Sequence, residues 1–203
     1  MKRLWKFLDL KDGEIVSHYD QSKWKIGEWR IEPKPTELCR GLNASCQPLD
    51  ALCYAKGEVL ARVEIKGHII EDSDKCTCEQ MRIVKVWKWQ KKDSVALAIF
   101  SAELCIGIYE KQYPNDDRPR KAIEAAKVWL TNPTEENRAG AAWAAWDAAR
   151  AAWDAAGDDW DAGDAAGAAS MAAWDAAGAA ARAAALKQIN SWIISHTKEM
   201  EEL

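Results

Sequence analysis

The stretch Glu58-Val59-Leu60-Ala61-Arg62-Val63-Glu64-Ile65-Lys66-Gly67 decides the architecture of the first half of the chain. Val59, Ala61, Val63 and Ile65 fall on one side of an extended backbone, while Arg62, Glu64 and Lys66 fall on the other. That period of two is the signature of a strand with one buried face. Reading onward, Glu71-Asp72-Ser73-Asp74 is a polar turn, and Gln80 to Trp89 forms another strand centred on Ile83 and Val84. Upstream, Leu4-Trp5-Lys6-Phe7-Leu8 is a short strand that stops before the turn signal Asp12-Gly13. Lys23 to Ile31 alternates enough for a half-buried strand or hairpin, ended by Pro33 and Pro35, and Leu38 to Ala44 fits a further short strand. Pro48 to Ala55 reads as a short helix with proline in its first turn and Gly57 after its end. Residues 1–92 are therefore expected to form a small, strand-rich α/β module.

The pattern changes at Lys91-Lys92-Asp93. Residues 94–112 carry apolar side chains at helical spacing, the strongest being Val95, Leu97, Ala98, Phe100, Leu104, Ile108 and Tyr109. A loop from Tyr113 to Arg120 leads into a second helix, 119–130, with Asp116 or Asp117 as its cap and Pro119 in its first turn. Asn132, Pro133 and Glu135 mark a third start. From Trp146 the chain repeats in sevens, WDAARAA, WDAAGDD, WDAGDAA, GAASMAA, WDAAGAA. Trp146, Trp153, Trp160 and Trp174 share one register, and Asp147, Asp154, Asp161 and Asp175 each follow a tryptophan. Seven residues are nearly two helical turns, so each set forms a slowly drifting stripe. Alanine occupies 26 of the 47 positions from 139 to 185, and alanine both favours helix and lets helices approach closely. Glycine–aspartate breaks near 157–167 favour helices that fold back over one long rod. The last apolar residues, Leu186, Ile189, Trp192 and Ile193, are expected to dock on the 94–130 helices. Residues 93–203 thus read as an all-α, Ala/Trp-rich helical bundle with repeat helices over 133–197, and the whole chain as α+β.

Charge divides along the same line. Residues 1–92 carry 18 Lys+Arg against 14 Asp+Glu, whereas residues 93–203 carry 10 against 18. The acidic half argues against DNA as its partner. No apolar run reaches membrane-spanning length and the N-terminus lacks a signal-peptide core, so a cytoplasmic protein with reduced thiols is expected.

Two stretches resemble known families. Trp5-Lys6-Phe7-Leu8, Cys39-Arg40-Gly41-Leu42-Asn43-Ala44-Ser45 and Pro48 to Ala55, with Asp74-Lys75 further on, resemble a phage and bacterial domain whose signature reads RGLHAS…PLDAL.YA.G followed by a strand and a DK turn. Asn43 stands where that signature carries histidine. Cys105 to Glu110 and Tyr113 to Ala126 are similar to immunity proteins of the Imm5-like group, which also continue into alanine-rich repeats. The resemblances imply a phage or mobile-element protein of immunity or anti-defence type. They bring no residue-level activity with them.

Candidate chemistry is sparse. Cys39, Cys46 and Cys53 at sevenfold spacing, with Cys76 and Cys78, lack the CxxC pairs of a zinc site, so no metal is expected. His18, His68 and His196 adjoin no nucleophile motif, and no phosphate loop or Gly-x-Ser-x-Gly occurs. No catalytic residue and no cofactor is assigned. The leading expectation is a non-enzymatic inhibitor that acts by occlusion. It would present Trp146, Asp147, Trp153, Asp154, Trp160, Asp161, Trp174 and Asp175 to a protein partner, a toxin or defence component. A second is a small-nucleotide site built from Arg40, Gly41, Asn43, Ser45 and Tyr54, on the grounds that a polar strand beside a glycine, with a tyrosine on the next helix, resembles ADP-ribosyltransferase-like folds. A third is a helical homo-oligomer held by the alanine faces. Lys85 to Lys92 mixes cations with tryptophans as single-strand nucleic-acid binders do, yet it also fits a packed strand with its lysines outward.

Overall fold

The computed structural model describes residues 2–55, 57–144 and 183–203. They fall into two compact units, one formed by Met1–Gln90 with Asn190–Leu203 and the other by Lys91–Ile189.

The first unit is an antiparallel sheet that closes on itself. Strand β1 (Lys2–Lys11) pairs with β6 (Val59–Glu71) from Lys2–Ile65 through Leu8–Val59. β6 pairs with β7 (Lys75–Lys88) along its whole length. β7 pairs with β5 (Leu42–Ser45), and β5 returns to β1 through the single pair Trp5–Ser45. Two register shifts in the β6–β7 ladder, at Arg62/Val63 and Lys66/Ile69, supply the local bends such a closure needs. Gly67, at φ +83°, sits in the second of them. β2 (Glu14–Val16) and β3 (Lys23–Trp24) continue outward from β1, and β4 (Arg30–Ile31) lies on β7. Residues 201–203 occupy the last stretch of the same β7 edge: the Lys88 N–H donates to Glu201 O and the Leu203 N–H to Val86 O. With β5, β4 and this tail all in place, β7 presents few unpaired backbone groups, which blunts an edge that would otherwise recruit other strands.

The alternation read from the sequence explains the core. Val59, Ala61, Val63 and Ile65 are at most 1% exposed and point into the closed sheet, with Leu4, Leu8, Trp24, Leu42, Met81 and Ile83 around them. Each fully buried large side chain contributes roughly 1.5–3 kcal/mol, so this interior is the main source of stability in the unit. The opposite face of the same strands is aromatic. Trp5 lies against Trp87 with ring centroids 5.9 Å apart, and Phe7 meets Trp89 edge-on at 5.4 Å. Helix α1 (Pro48–Tyr54) is tied to the C-terminal segment by the Leu49 N–H, which donates to Asn190 Oδ1 at 3.0 Å. Ile193 is 1% exposed in that segment.

In the second unit, α2 (Lys91–Gln112) and α3 (Arg118–Thr131) pack through Ile99, Ile106 and Ile123, flanked by Val95, Ala126 and Leu130. Asp117 occupies the cap position of α3 without a side-chain bond, and its neighbour Asp116 accepts from the Arg118 N–H. Residues 135–144 are helical, started by Thr134, whose Oγ1 accepts from the Asn137 N–H. Residues 183–196 are also helical.

The expected fold class is corrected on both counts. The first half is not α/β. Its seven strands pair antiparallel, so no two neighbours have the parallel pairing of an α/β sheet; α1 links β5 to β6, which run parallel to each other with β7 between them. The second half is not shown as an all-α bundle. Its described residues give the α2–α3 pair and the stretches 135–144 and 183–196, and from Asn190 the chain belongs with the sheet, not with the 94–130 helices. The repeat positions 145–182 lie outside the described residues.

Candidate functional site

β1 is apolar on both faces, and this places a charge inside the closed sheet. Lys6 lies between Leu4 and Leu8 on the interior side, opposite Ala61. Its Nζ donates to the backbone carbonyl of Asn43 at 2.8 Å and stands 5.8 Å from the centre of the Trp24 ring. Burial pushes the Lys6 ammonium down to about 8, since removing a cation from water disfavours its charged form. The thiols that share this interior move the opposite way for the same reason, Cys76 to about 11 and Cys78 to about 12. Both are therefore protonated and unreactive at neutral pH. On the rim, Arg30 stacks over Trp24 at 5.1 Å and pairs with Glu32 and Asp20.

The five residues proposed for a nucleotide fall in the turn before β5, on β5 and at the end of α1, and the side chains of Arg40, Asn43 and Tyr54 are engaged within the fold. Asn43 accepts from Thr77 Oγ1 at 2.6 Å and donates to Gly41 O at 3.0 Å. Gly41 (φ +135°) is required there, because a Cβ would come within 3.1 Å of Thr77 Cγ2. Thr77 in turn accepts from the Cys39 N–H. The amide thus holds the β5–β7 junction. Arg40 points away from this knot and pairs with Glu37. Ser45 is buried in the strand, and Tyr54 donates to Asp74 while Lys75 lies over its ring at 4.7 Å.

The outer side of β1, β6 and β7 carries a group of charged side chains beside its aromatic rings. Arg3, Glu64 and Arg82 stand side by side across the three strands. Glu64 accepts from both arginines, at 3.1 Å from Arg3 Nε and at 2.6 Å from Arg82 Nη2, which keeps its carboxyl below the usual range. Arg62 and Lys66 flank Glu64 along β6. The Arg62 guanidinium lies over Trp5, 4.3 Å from the ring centre, while Lys66 and Arg82 both face Trp29, at 4.0 and 4.9 Å.

Residues 12–93 match the model of a family described as Domain of unknown function (DUF7666). No curated protein and no solved structure matches the chain. The matched region runs from β2 into the start of α2 and leaves out β1, the strand that supplies Lys6, Arg3 and the closing pair with Ser45.

Trp146, Asp147, Trp153, Asp154, Trp160, Asp161, Trp174 and Asp175 all lie outside the described residues. The tryptophan just before them, Trp143, is 70% exposed at the end of the helical residues 135–144. His18 pairs with Asp9, His196 stacks on Trp192 at 4.5 Å, and His68 is exposed. Among the described residues no group of three or more His, Cys, Asp and Glu side chains could hold a metal ion, and no helix is long and apolar enough to cross a membrane. Sequence reasoning missed Lys6 and the Arg3–Arg62–Arg82 group. A lysine in the middle of the apolar run Leu4–Leu8 was the available signal for the first. For the second it was the charged positions alternating with Val59, Ala61, Val63 and Ile65.

Proposed function

We propose that this protein is a non-enzymatic binding protein of immunity or anti-defence type, encoded by a phage or mobile element and acting in the cytoplasm by occluding a protein partner. The sheet unit is the stable platform, and the acidic alanine–tryptophan segment is the contact surface. The observation that carries this reading is Trp143, 70% exposed at the end of the helical residues 135–144. Tryptophan is enriched among the side chains that carry most of the binding energy at protein interfaces. The engaged polar atoms around Asn43 weigh against the nucleotide alternative, since a nucleotide would have to displace the Thr77 and Gly41 bonds.

Affinity capture with the full-length chain tests it. Wild type is compared with Trp143→Ala and with a chain carrying Asp147→Asn, Asp154→Asn, Asp161→Asn and Asp175→Asn. The expected result is one partner retained in stoichiometric amount by wild type and lost from both variants. Recovery of the same partner by all three proteins, or by none, would refute the assigned surface.

A further inference from the structure

We propose that the outer face of β1, β6 and β7 is a binding site for single-stranded nucleic acid, formed by Arg3, Arg62, Lys66 and Arg82 around the aromatic rings of Trp5 and Trp29.

The charge count is the first argument. Four cations converge on one carboxylate, Glu64, and that carboxylate is already shared by Arg3 and Arg82. Among the described residues no carboxylate forms an ion pair with Arg62 or Lys66. Arg62 is half-buried and lies near Arg3, so it is a cation held against another cation with water partly removed. An anion brought to this face relieves both costs at once.

Geometry sets the size of that anion. Arg62 and Lys66 are four residues apart on β6, about 13 Å at ~3.3 Å per residue. Arg3 and Arg82 are separated by two strand spacings, about 10 Å at ~4.8 Å each. A single phosphate cannot meet all four groups, whereas a strand of several phosphates crossing the face can. The stacking geometry then favours nucleic acid over an acidic peptide. The Arg62 guanidinium lies against Trp5 and that of Arg82 against Trp29. Unpaired bases stack on aromatic rings and on guanidinium groups, and this face offers both side by side. Bases locked in a duplex do not offer their faces, hence the single strand. The site is separate from the acidic segment that carries the protein-binding reading and does not depend on it.

The test is fluorescence polarisation of labelled dT20 and U20 oligonucleotides with the full-length protein over a series of salt concentrations. Wild type is compared with Arg62→Ala and Lys66→Ala, and with Lys23→Ala as a charge control elsewhere on the unit. Lys66 is exposed, so its removal leaves the core intact, and circular dichroism checks the fold of each variant. Binding that weakens on the order of tenfold in Arg62→Ala, and loses about one unit of salt slope in Lys66→Ala, with Lys23→Ala unchanged, is the expected result. Three outcomes overturn the proposal: no binding at low salt, equal loss in Lys23→Ala, or inorganic polyphosphate of matched charge competing as well as the oligonucleotide does.

Discussion

Replacing Lys6 with methionine should make the protein more stable. The ammonium is held at about 8 against an ordinary 10.5, and at ~1.4 kcal/mol per pH unit the native state disfavours its charge by ~3 kcal/mol. Lys6 is only half-buried, and solvent screening brings that to ~2 kcal/mol. Methionine has a similar reach and bends to fill the same space. It gives up the bond to the Asn43 carbonyl, which takes back ~0.5–1 kcal/mol. The net expectation for Lys6→Met at pH 7 is a gain of ~1–1.5 kcal/mol, or about 2–6 °C in Tm. The pH dependence separates this cause from simple repacking. Between pH 8 and 10.5 the unfolded chain still holds the proton that native Lys6 has released, so wild-type stability rises with pH relative to the variant. The advantage of methionine is therefore full below pH 8 and gone near 10.5. Cys76 and Cys78 act in the opposite direction above pH 9, because their raised native values favour unfolding as the free thiols ionise. Both proteins share them, so they cancel in the difference. Urea unfolding of the two proteins at pH 7, 8, 9 and 10 measures it. A variant less stable than wild type at pH 7, or a difference that stays flat to pH 10, would refute the reasoning.

The same interior predicts an order of thiol labelling: at pH 8, Cys39 and Cys53, both exposed, should react with a maleimide while Cys76 and Cys78 react only in denaturant. Peptide mapping reads this out, and labelling of Cys76 at the rate of Cys53 would contradict it. Gly57→Ala should be poorly soluble or lose more than ~3 kcal/mol, because its Cβ would sit 2.0 Å from the carbonyl oxygen of Leu8 at the end of the β1–β6 ladder. An urea midpoint near wild type would show that β1 moves aside at little cost. In the second unit, Arg118 and the Tyr109 hydroxyl hold the Asp116 carboxyl well below its usual range. The stabilisation this gives is present at neutral pH and fades as the pH falls through that depressed range. Asp116→Asn should then lower Tm at pH 7, with the gap to wild type narrowing at the acid end. An equal gap at pH 7 and pH 2 would point to packing.

How far the fold could be read from the sequence depended on whether each element has one buried face or two. β6 has one, and Val59, Ala61, Val63 and Ile65 were legible as its interior side. The Asp12-Gly13 turn was legible too, both residues having positive φ. β1 has two buried faces, so its run Leu4-Trp5-Lys6-Phe7-Leu8 shows no alternation, and the lysine in its middle is the one local sign of a charge set among apolar side chains. α2 fails for a related reason. Its apolar residues surround the helix, and Ile108, taken for a core position, is 66% exposed while Ile99 and Ile106 carry the packing. Lys23 to Ile31 reads as a half-buried strand or a hairpin, but only two-residue strands form at its ends, β3 on β2 and β4 on β7, with a bend at Gly27 (φ +83°) whose N–H reaches Ile83. The antiparallel closure was not legible at all. It rests on pairings between residues as far apart as Trp5 and Ser45, which no local pattern encodes. Of the residues proposed for a nucleotide, Asn43 is engaged by Thr77, which is distant in sequence and which no local pattern announces.

The ring of strands is joined by long ladders everywhere except at one place. β1 meets β5 through Trp5 and Ser45 alone, reinforced by the reach of Lys6 to the Asn43 carbonyl. Thermal opening of a closed sheet starts where the fewest bonds must part at once. This sheet therefore has a zip, and Lys6 is its slider. Water reaching Cys76 and Cys78 enters along that line first, and a chain strained from its N-terminus would unwind from β5 long before it left β6.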